Sequence, residues 1–253
     1  MPEQITKAAT LRQIVVEHPE TRPVLERYEL DYCCGGARPL GEAADEAGVK
    51  VDELLKALEE AVAAEKEEPS DHVNWSEGTL TELADYIEST HHPFMKRQLP
   101  RVSELFEKVI SAHEEVHGPM LGRMQQVFGA LREEIEMHLQ KEEQVLFPYI
   151  RQMEDYAEGS GPRPIIHCIT VRNPVQQMEL EHDHAGHALE EMREASDDYR
   201  LPEDACEAFR ALYDALQELE ADLHEHIHLE NNILFPRAVA LEQNTLTDAP
   251  QSI

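Results

Sequence analysis

The chain has 253 residues, enough for one large domain, or for an ordinary domain with a smaller companion, and in either case for a core that needs no disulfide staples. Acidic residues outnumber basic ones 52 to 22, and the formal net charge of −30 repels phosphate backbones and anionic lipid, which argues against nucleic acid as a partner. The acidity reads as well-solvated helix faces, of the kind also met in a high-salt cytoplasm.

The opening stretch, MPEQITKAATLRQIVVEHPE, lacks a basic start followed by an apolar leader, and no segment approaches the ~20 apolar residues of a membrane span. A cytoplasmic chain that does not cross a membrane is expected. Residues 1–66 read as a small helical domain: Thr10 and Gln13 form a capping-box pair, Pro19 and Pro23 punctuate, and CCGGARP at 33–39 is a loop. A further helix, VDELLKALEEAVAAEKEE, follows Gly48. The polar, Pro69-bearing stretch around residues 67–77 has no periodicity and is expected to be a linker.

Residues 78–242 show four long helical stripes, with 243–253 as a tail. The second stripe runs through Met124, Val127, Leu131, Ile135, His138, Glu142 and Val145; the third through Val175, Met178, His182, Ala185, Leu189 and Met192. The fourth, Phe209, Leu212, Leu216, Leu219, Leu223, His226 and Glu230, keeps a strict alternation of three and four. Gly118-Pro119, GSGPRP at 159–164 and RLPEDA at 200–205 separate them, so the fold class is all-α, with an up-down four-helix bundle after the small N-terminal domain. The first helix contains Pro93 and Pro100, which should bend or split it. Read backwards from Val116 through His113, Val109, Phe106, Val102, Leu99 and Met95, its stripe selects His92; read forwards from Leu80, Leu83 and Ile87, it selects His91.

The segment HLQKEEQVLFP at 138–148 has a twin, HIHLENNILFP at 226–236; both read H-x-x-x-E-x-x-x-L-F-P, 88 residues apart. His92 lies 46 residues before the first copy and His182 lies 44 before the second, so the chain reads as a duplicated helix pair, each half giving H…H-x-x-x-E. Residues four apart share one helix face, and here that face is the core side. A buried carboxylate needs a partner, and no lysine or arginine lies on these stripes. Cations fill that need. Four imidazoles and two carboxylates converging from four helices can hold two metal ions, each with two histidines, bridged by both carboxylates. Imidazole and carboxylate suit iron, manganese or zinc, and two bridges with an open position favour a redox-active di-iron site.

The remaining candidates are weaker. His113 lies 21 residues beyond His92, about 30 Å along a helix at ~1.5 Å per residue, too far to reach the same metal. His184, His187, His224 and His228 flank the stripes and are expected to face solvent or support the ligands; His91 is the rival ligand, and Tyr149 reads as core. The adjacent Cys33 and Cys34 in LDYCCGG are the other candidates for chemistry: thiols in a glycine-flanked loop, where positive φ would expose them, could bind soft metal or exchange electrons. Cys168 and Cys206 stand singly and read as packing residues.

In this order, YELDYCCGG, HHPFMKRQLP, HLQKEEQVLFP, LEHDHAG and HIHLENNILFP resemble the iron-sulfur cluster repair di-iron proteins, the RIC family, also called ScdA or YtfE-like, over nearly the whole chain. The resemblance implies a cytosolic, often dimeric protein with a small cysteine-bearing domain and a hemerythrin-like bundle. Its ligand histidine seven residues before Leu-Pro falls on His92, ahead of Leu99-Pro100, and the others on His138, Glu142, His182, His226 and Glu230, the glutamates bridging two irons joined by oxo or hydroxo. SAHEEVHG at 111–118 departs from the family, which tends to have a histidine followed directly by glycine. The implied function is stress-response restoration of iron-sulfur clusters damaged by nitric oxide or peroxide, by iron donation from a labile site. Nitric oxide reduction at the same irons, or dioxygen binding as in hemerythrins, are the alternatives.

Overall fold

The computed structural model describes residues 5–67, 74–165 and 170–246. The described residues form helices, with one isolated bridge between Thr10 and Pro39. The central part of the expected linker and the end of the expected tail lie outside the described residues, as does Cys168. By its contacts the chain divides into two units: Met1–Thr79 with Ile227–Pro236, and Leu80–His226 with Arg237–Ile253.

The first unit is built from short helices: α1 (Leu11–Glu17), a 3₁₀ turn (Pro19–Thr21), α2 (Arg22–Arg27), α3 (Leu40–Glu46) and α4 (Val51–Glu67). The Thr10 hydroxyl accepts from the Gln13 N–H at 3.2 Å while the Gln13 side chain accepts from the Thr10 N–H at 3.0 Å, so the capping box forms as its sequence predicts. Helices this short are marginal alone and depend on a shared core, here Leu11, Val15, Leu25, Leu40, Leu54 and Leu58, all at 0% exposure.

The second unit begins with α5 (Leu80–Lys141), helical without interruption through Pro93, Pro100 and Pro119. The prolines therefore do not split the first helix. Nor is α5 one straight rod, because cross-chain contacts pair Leu80 with Glu154, Asp85 with Arg151, His92 with Glu143 and Ser103 with Arg132. The midpoints of all four pairs fall at residues 117–118, so the chain turns back at Gly118-Pro119 and makes two antiparallel arms. A π-helical stretch (Glu142–Leu146) leads into α6 (Phe147–Ala157), and α7 (Arg172–Ala195) gives the third helix. The fourth is α8 (Glu207–His228), a second π-helical stretch (Leu229–Leu234) and α9 (Phe235–Leu246), of which Ile227–Pro236 count with the first unit. Antiparallel neighbours are tied by Arg123–Glu191, Arg193–Glu220 and Gln98–Glu218.

Most of the expected stripe residues are buried, including every one in the third and fourth helices. Val127 and His113 are half-buried, and two are exposed: Val145 at 52% and Val116 at 69%. Val145 sits inside the π-helical stretch, whose wider turn rotates it off the core face that Leu146, Phe147, Ile150 and Met153 then occupy. Val116 lies where the chain reverses and the apolar interface ends.

At the start of α5, Glu154 of α6 accepts from the Leu80 and Thr81 N–H groups, each at 2.8 Å. Glu154→Ala should lower stability by about 1 kcal/mol, as for loss of an N-terminal cap. Thermal unfolding should show a midpoint lower by about 2–4 °C, and an unchanged midpoint would refute this capping role.

Candidate metal centre

The two H-x-x-x-E motifs sit where two helices of the bundle meet a π-helical stretch, and proline explains the coincidence. Pro148 and Pro236 cannot donate to the carbonyl four residues back, and their rings crowd it. The ladder shifts ahead of each: the Phe147 N–H bonds to the Glu142 carbonyl and the Phe235 N–H to the Glu230 carbonyl, five residues back instead of four. The periodicity missed this shift, although Phe-Pro closing both motifs was its visible signal.

Glu142 is the centre of the arrangement. It is 0% exposed, with His138 Nε2 3.0 Å from Oε1, and His92 Nε2 3.4 Å and His226 Nε2 3.7 Å from Oε2. Among the described residues, neither oxygen makes a hydrogen bond of good geometry and no lysine or arginine pairs with it. Burial alone would raise the Glu142 carboxyl, but the His138, His92 and His226 imidazoles outweigh it and hold the group well below the ordinary carboxylate range. His182 joins through Nε2, 3.1 Å from His138 Nε2. Two ring nitrogens aimed at one another and at one carboxylate are the disposition of ligands around a cation.

Candidate ligand atoms of His92, Glu142 and His226 all lie within 4.8 Å of one another, as do those of His138, Glu142 and His182. Glu142 is common to both groups. Glu230 is fully buried one helical turn beyond His226. The histidines are also oriented from behind: His92 Nδ1 lies 2.7 Å from Glu143, which Lys96 holds at 2.5 Å. His138 Nδ1 lies 2.9 Å from Glu181, which Lys141 and Gln177 hold in turn. Such carboxylates fix the tautomer that presents Nε2 as the ligating atom. The hydrogen bond with His138 is the main cause that brings the Glu181 carboxyl down to about 2. Glu143 and Glu181 were not legible as functional in the sequence, since each is one glutamate among many on an acidic helix.

The rival histidine takes another role. His91 is buried, but its Nδ1 pairs with Asp222 at 3.0 Å and it stands outside both ligand groups. His184 and His187 are exposed and His224 is half-buried, whereas His228 is buried, sharing a hydrogen bond with Asn232 at 3.0 Å and packing edge-on against Tyr32. His228 thus corrects the expectation of a surface or ligand-supporting role. Tyr149 is core, its phenol donating to Glu242 at 3.0 Å. A small cavity lined by Met95, Leu131, Ile135, His138, His182 and His226 touches three of the imidazoles.

The cysteine loop belongs to the first unit and departs from expectation. Cys33 is 6% exposed and Cys34 half-buried, so the loop does not display both thiols. Gly35 and Gly36 are not among the residues with positive φ. They are needed for closeness: a Cβ at Gly36 would come 2.8 Å from the Tyr32 carbonyl and one at Gly35 2.5 Å from the Asp31 carbonyl. Asp31 gathers the loop, accepting from the N–H groups of Cys33, Cys34 and Gly35 at 3.0, 3.0 and 2.9 Å. Asn231 and Asn232 donate to the carbonyls of Cys33 and Tyr32 at 3.1 and 2.9 Å. The hydrogen bond with Cys34, then burial and the Asp31 charge, push the Cys33 thiol far up, so it is held protonated. Asp31, Cys33 and Cys34 form a further group able to hold a cation, which would reverse that preference.

Among known proteins, the ScdA_N domain, described as of unknown function, matches residues 7–62, and the hemerythrin HHE cation binding domain matches residues 85–238. The iron-sulfur cluster repair protein YtfE of Yersinia pseudotuberculosis serotype IB (strain PB1/+) is 37% identical over 234 residues, covering 91% of this chain and 96% of that one. Its counterpart in Yersinia pestis (strain Pestoides F) is 36% identical with the same coverage. With both domain models in order and a relative this similar along most of its length, the chain belongs to the YtfE-like iron-sulfur cluster repair proteins, in which an ScdA_N domain precedes a hemerythrin-type domain.

Proposed function

We propose that this chain repairs iron-sulfur clusters damaged by oxidative or nitrosative stress, and that it does so by donating iron held in a di-iron site. The observation that carries this reading is Glu142, a fully buried carboxylate facing the imidazole nitrogens of His92, His138 and His226. A buried anion without a cationic side chain calls for metal, and this donor set is hard-to-borderline, which suits iron. In this reading His92, His138, His182, His226, Glu142 and Glu230 would hold the two irons. When bound, the pair of irons supplies redox equivalents and a releasable cation.

The residues around the site have their own tasks. Glu143 and Glu181 orient His92 and His138 from outside, each tied to a lysine that is partly exposed to water. Such a tether, ending at the surface, is the part of the site that protonation or solvent can loosen, a route to lability without unfolding. In the first unit, Asn231 and Asn232, next in sequence to Glu230, clasp the backbone of the cysteine loop. Cys33 and Cys34 with Asp31 are then a soft station for departing iron, with damaged iron-sulfur proteins as the recipients. Among the described residues no helix is long and apolar enough to cross a membrane. We place the protein in the cytoplasm, where these thiols stay reduced, and retain the homodimer implied by the family.

A second reading is nitric oxide reduction at the same irons. The cavity touching His138, His182 and His226 favours it, because a small space beside the ligands suits a diatomic such as nitric oxide or dioxygen. Dioxygen carriage alone leaves the cysteine loop without a purpose.

Protein reconstituted anaerobically should carry about two irons per chain and lose most of them in Glu142→Ala or His138→Ala, measured by elemental analysis with a Mössbauer spectrum; full retention in both would refute the ligand assignment. Glu181→Ala should keep the fold but weaken iron about 10–100-fold in competition with a chelator. Iron transfer to a dehydratase lacking one cluster iron should be impaired in the Cys33→Ser, Cys34→Ser double variant with iron content unchanged. Equal transfer would remove the loop from the mechanism, and sustained conversion of nitric oxide to nitrous oxide would favour the second reading.

A further inference from the structure

A second cluster of potential metal ligands lies at the other end of the first bundle arm, about 30 Å along the helix from His92 at ~1.5 Å per residue. His113 and His117 are one turn apart on α5, just before the chain reverses, and Asp204 reaches them from the segment between α7 and α8. His117 Nε2 lies 2.9 Å from Asp204 Oδ1, and His113 Nδ1 3.8 Å from Asp204 Oδ2, beyond hydrogen-bonding distance. One ligand atom from each of the three lies within 4.8 Å of the others.

The cluster is more than an ion pair on the surface. The His113 and His117 side chains are only 12% and 19% exposed, and His113 Nε2 is buried without a hydrogen bond. Phe209 packs on both rings, with centroids 5.3 and 5.6 Å away, and so holds two imidazoles toward one carboxylate at the cost of desolvating them. Cys206, two residues from Asp204, is exposed, which corrects its reading as a packing residue. In sequence, His113-Glu114-Glu115-Val116-His117 has the form H-E-x-x-H, in which two histidines on one helix face ligate zinc. Glu114 is exposed, and only the paired ligands of that motif enter the argument.

We propose that His113, His117 and Asp204 form a zinc-type divalent cation site, separate from the centre at Glu142. Two imidazoles and one carboxylate are a three-ligand set of the kind that leaves a fourth position for water or a thiolate. Iron in the first centre is not required for it. Bound there, the cation ties the reversal between the two arms of α5 to the α7–α8 connection, both in the second unit.

The test uses the full-length, iron-loaded protein equilibrated with about 10 µM free Zn²⁺, zinc and iron being counted together by elemental analysis. About one zinc per chain should be retained without loss of iron, and the thermal midpoint should rise with zinc. Asp204→Ala and His117→Gln, each partly exposed and checked by helical circular dichroism, should weaken zinc about tenfold or more and leave iron content unchanged. The proposal is overturned if the wild-type retains no zinc, if zinc appears only as iron is displaced, or if the His113→Ala, His117→Ala double variant retains as much as the wild-type.

Discussion

A carboxylate that cannot reach water governs this molecule. Glu142 sits at 0% exposure among the nitrogens of His92, His138 and His226, and burial alone would neutralise it. Hydrophobic neighbours cannot stabilise such a group, and imidazoles can do so without metal only by holding protons at close quarters. With His138 and His182 presenting nitrogens to each other 3.1 Å apart, several protonated rings would repel. A cation resolves both problems, since it satisfies the carboxylate while the rings stay neutral. The helices, their stripes and the carboxylates behind the rings follow as the means of holding that geometry.

The support behind the candidate ligands shows how a surface charge acquires a buried consequence. Glu143 and Glu181 each touch an imidazole Nδ1 on one side and a lysine on the other. Pairs of this exposed kind contribute little to stability by themselves. Their effect lies in tautomer choice: a carboxylate at Nδ1 keeps the proton there and directs Nε2 inward. A chain rich in acidic residues can supply such partners at many positions, which is why these two could not be picked out from the rest before their contacts were known.

What was readable in advance followed from period and repetition. The in-phase copies of H-x-x-x-E picked out His138, Glu142, His226 and Glu230, and the matching intervals added His182. His92 and His91 could not be separated by stripe alone, because the proline between the two readings shifts their phase; the bundle buries both, and what distinguishes them is whether the ring meets Glu142 or Asp222. The cysteine loop was misread for a related reason. Its glycines suggested an exposed turn, whereas their lack of a Cβ lets backbone carbonyls approach, and Asn231 and Asn232, distant in sequence, cover the loop. His113 and His117 carry the H-E-x-x-H spacing locally, but Asp204 arrives from another connection, which no local pattern could announce.

The repeated Phe-Pro adds a physical reason for the length of the motif. A proline at this point in an ordinary helix would strand the carbonyl four residues back and crowd it. Here the preceding N–H reaches the carbonyl of the buried glutamate itself, so the widened turn begins at that residue in both copies. One extra residue in a turn advances the following stripe by about 100° at 3.6 residues per turn. That rotation takes Val145 to the surface and brings Leu146 and Ile150 inward, so each glutamate faces the interior while the helix beyond it keeps an apolar face against its neighbours. Without it, the spacing of three from Glu142 would also place Val145 on the buried face. The last three residues of each repeat therefore set the phase of the helix, and the first five set the donors.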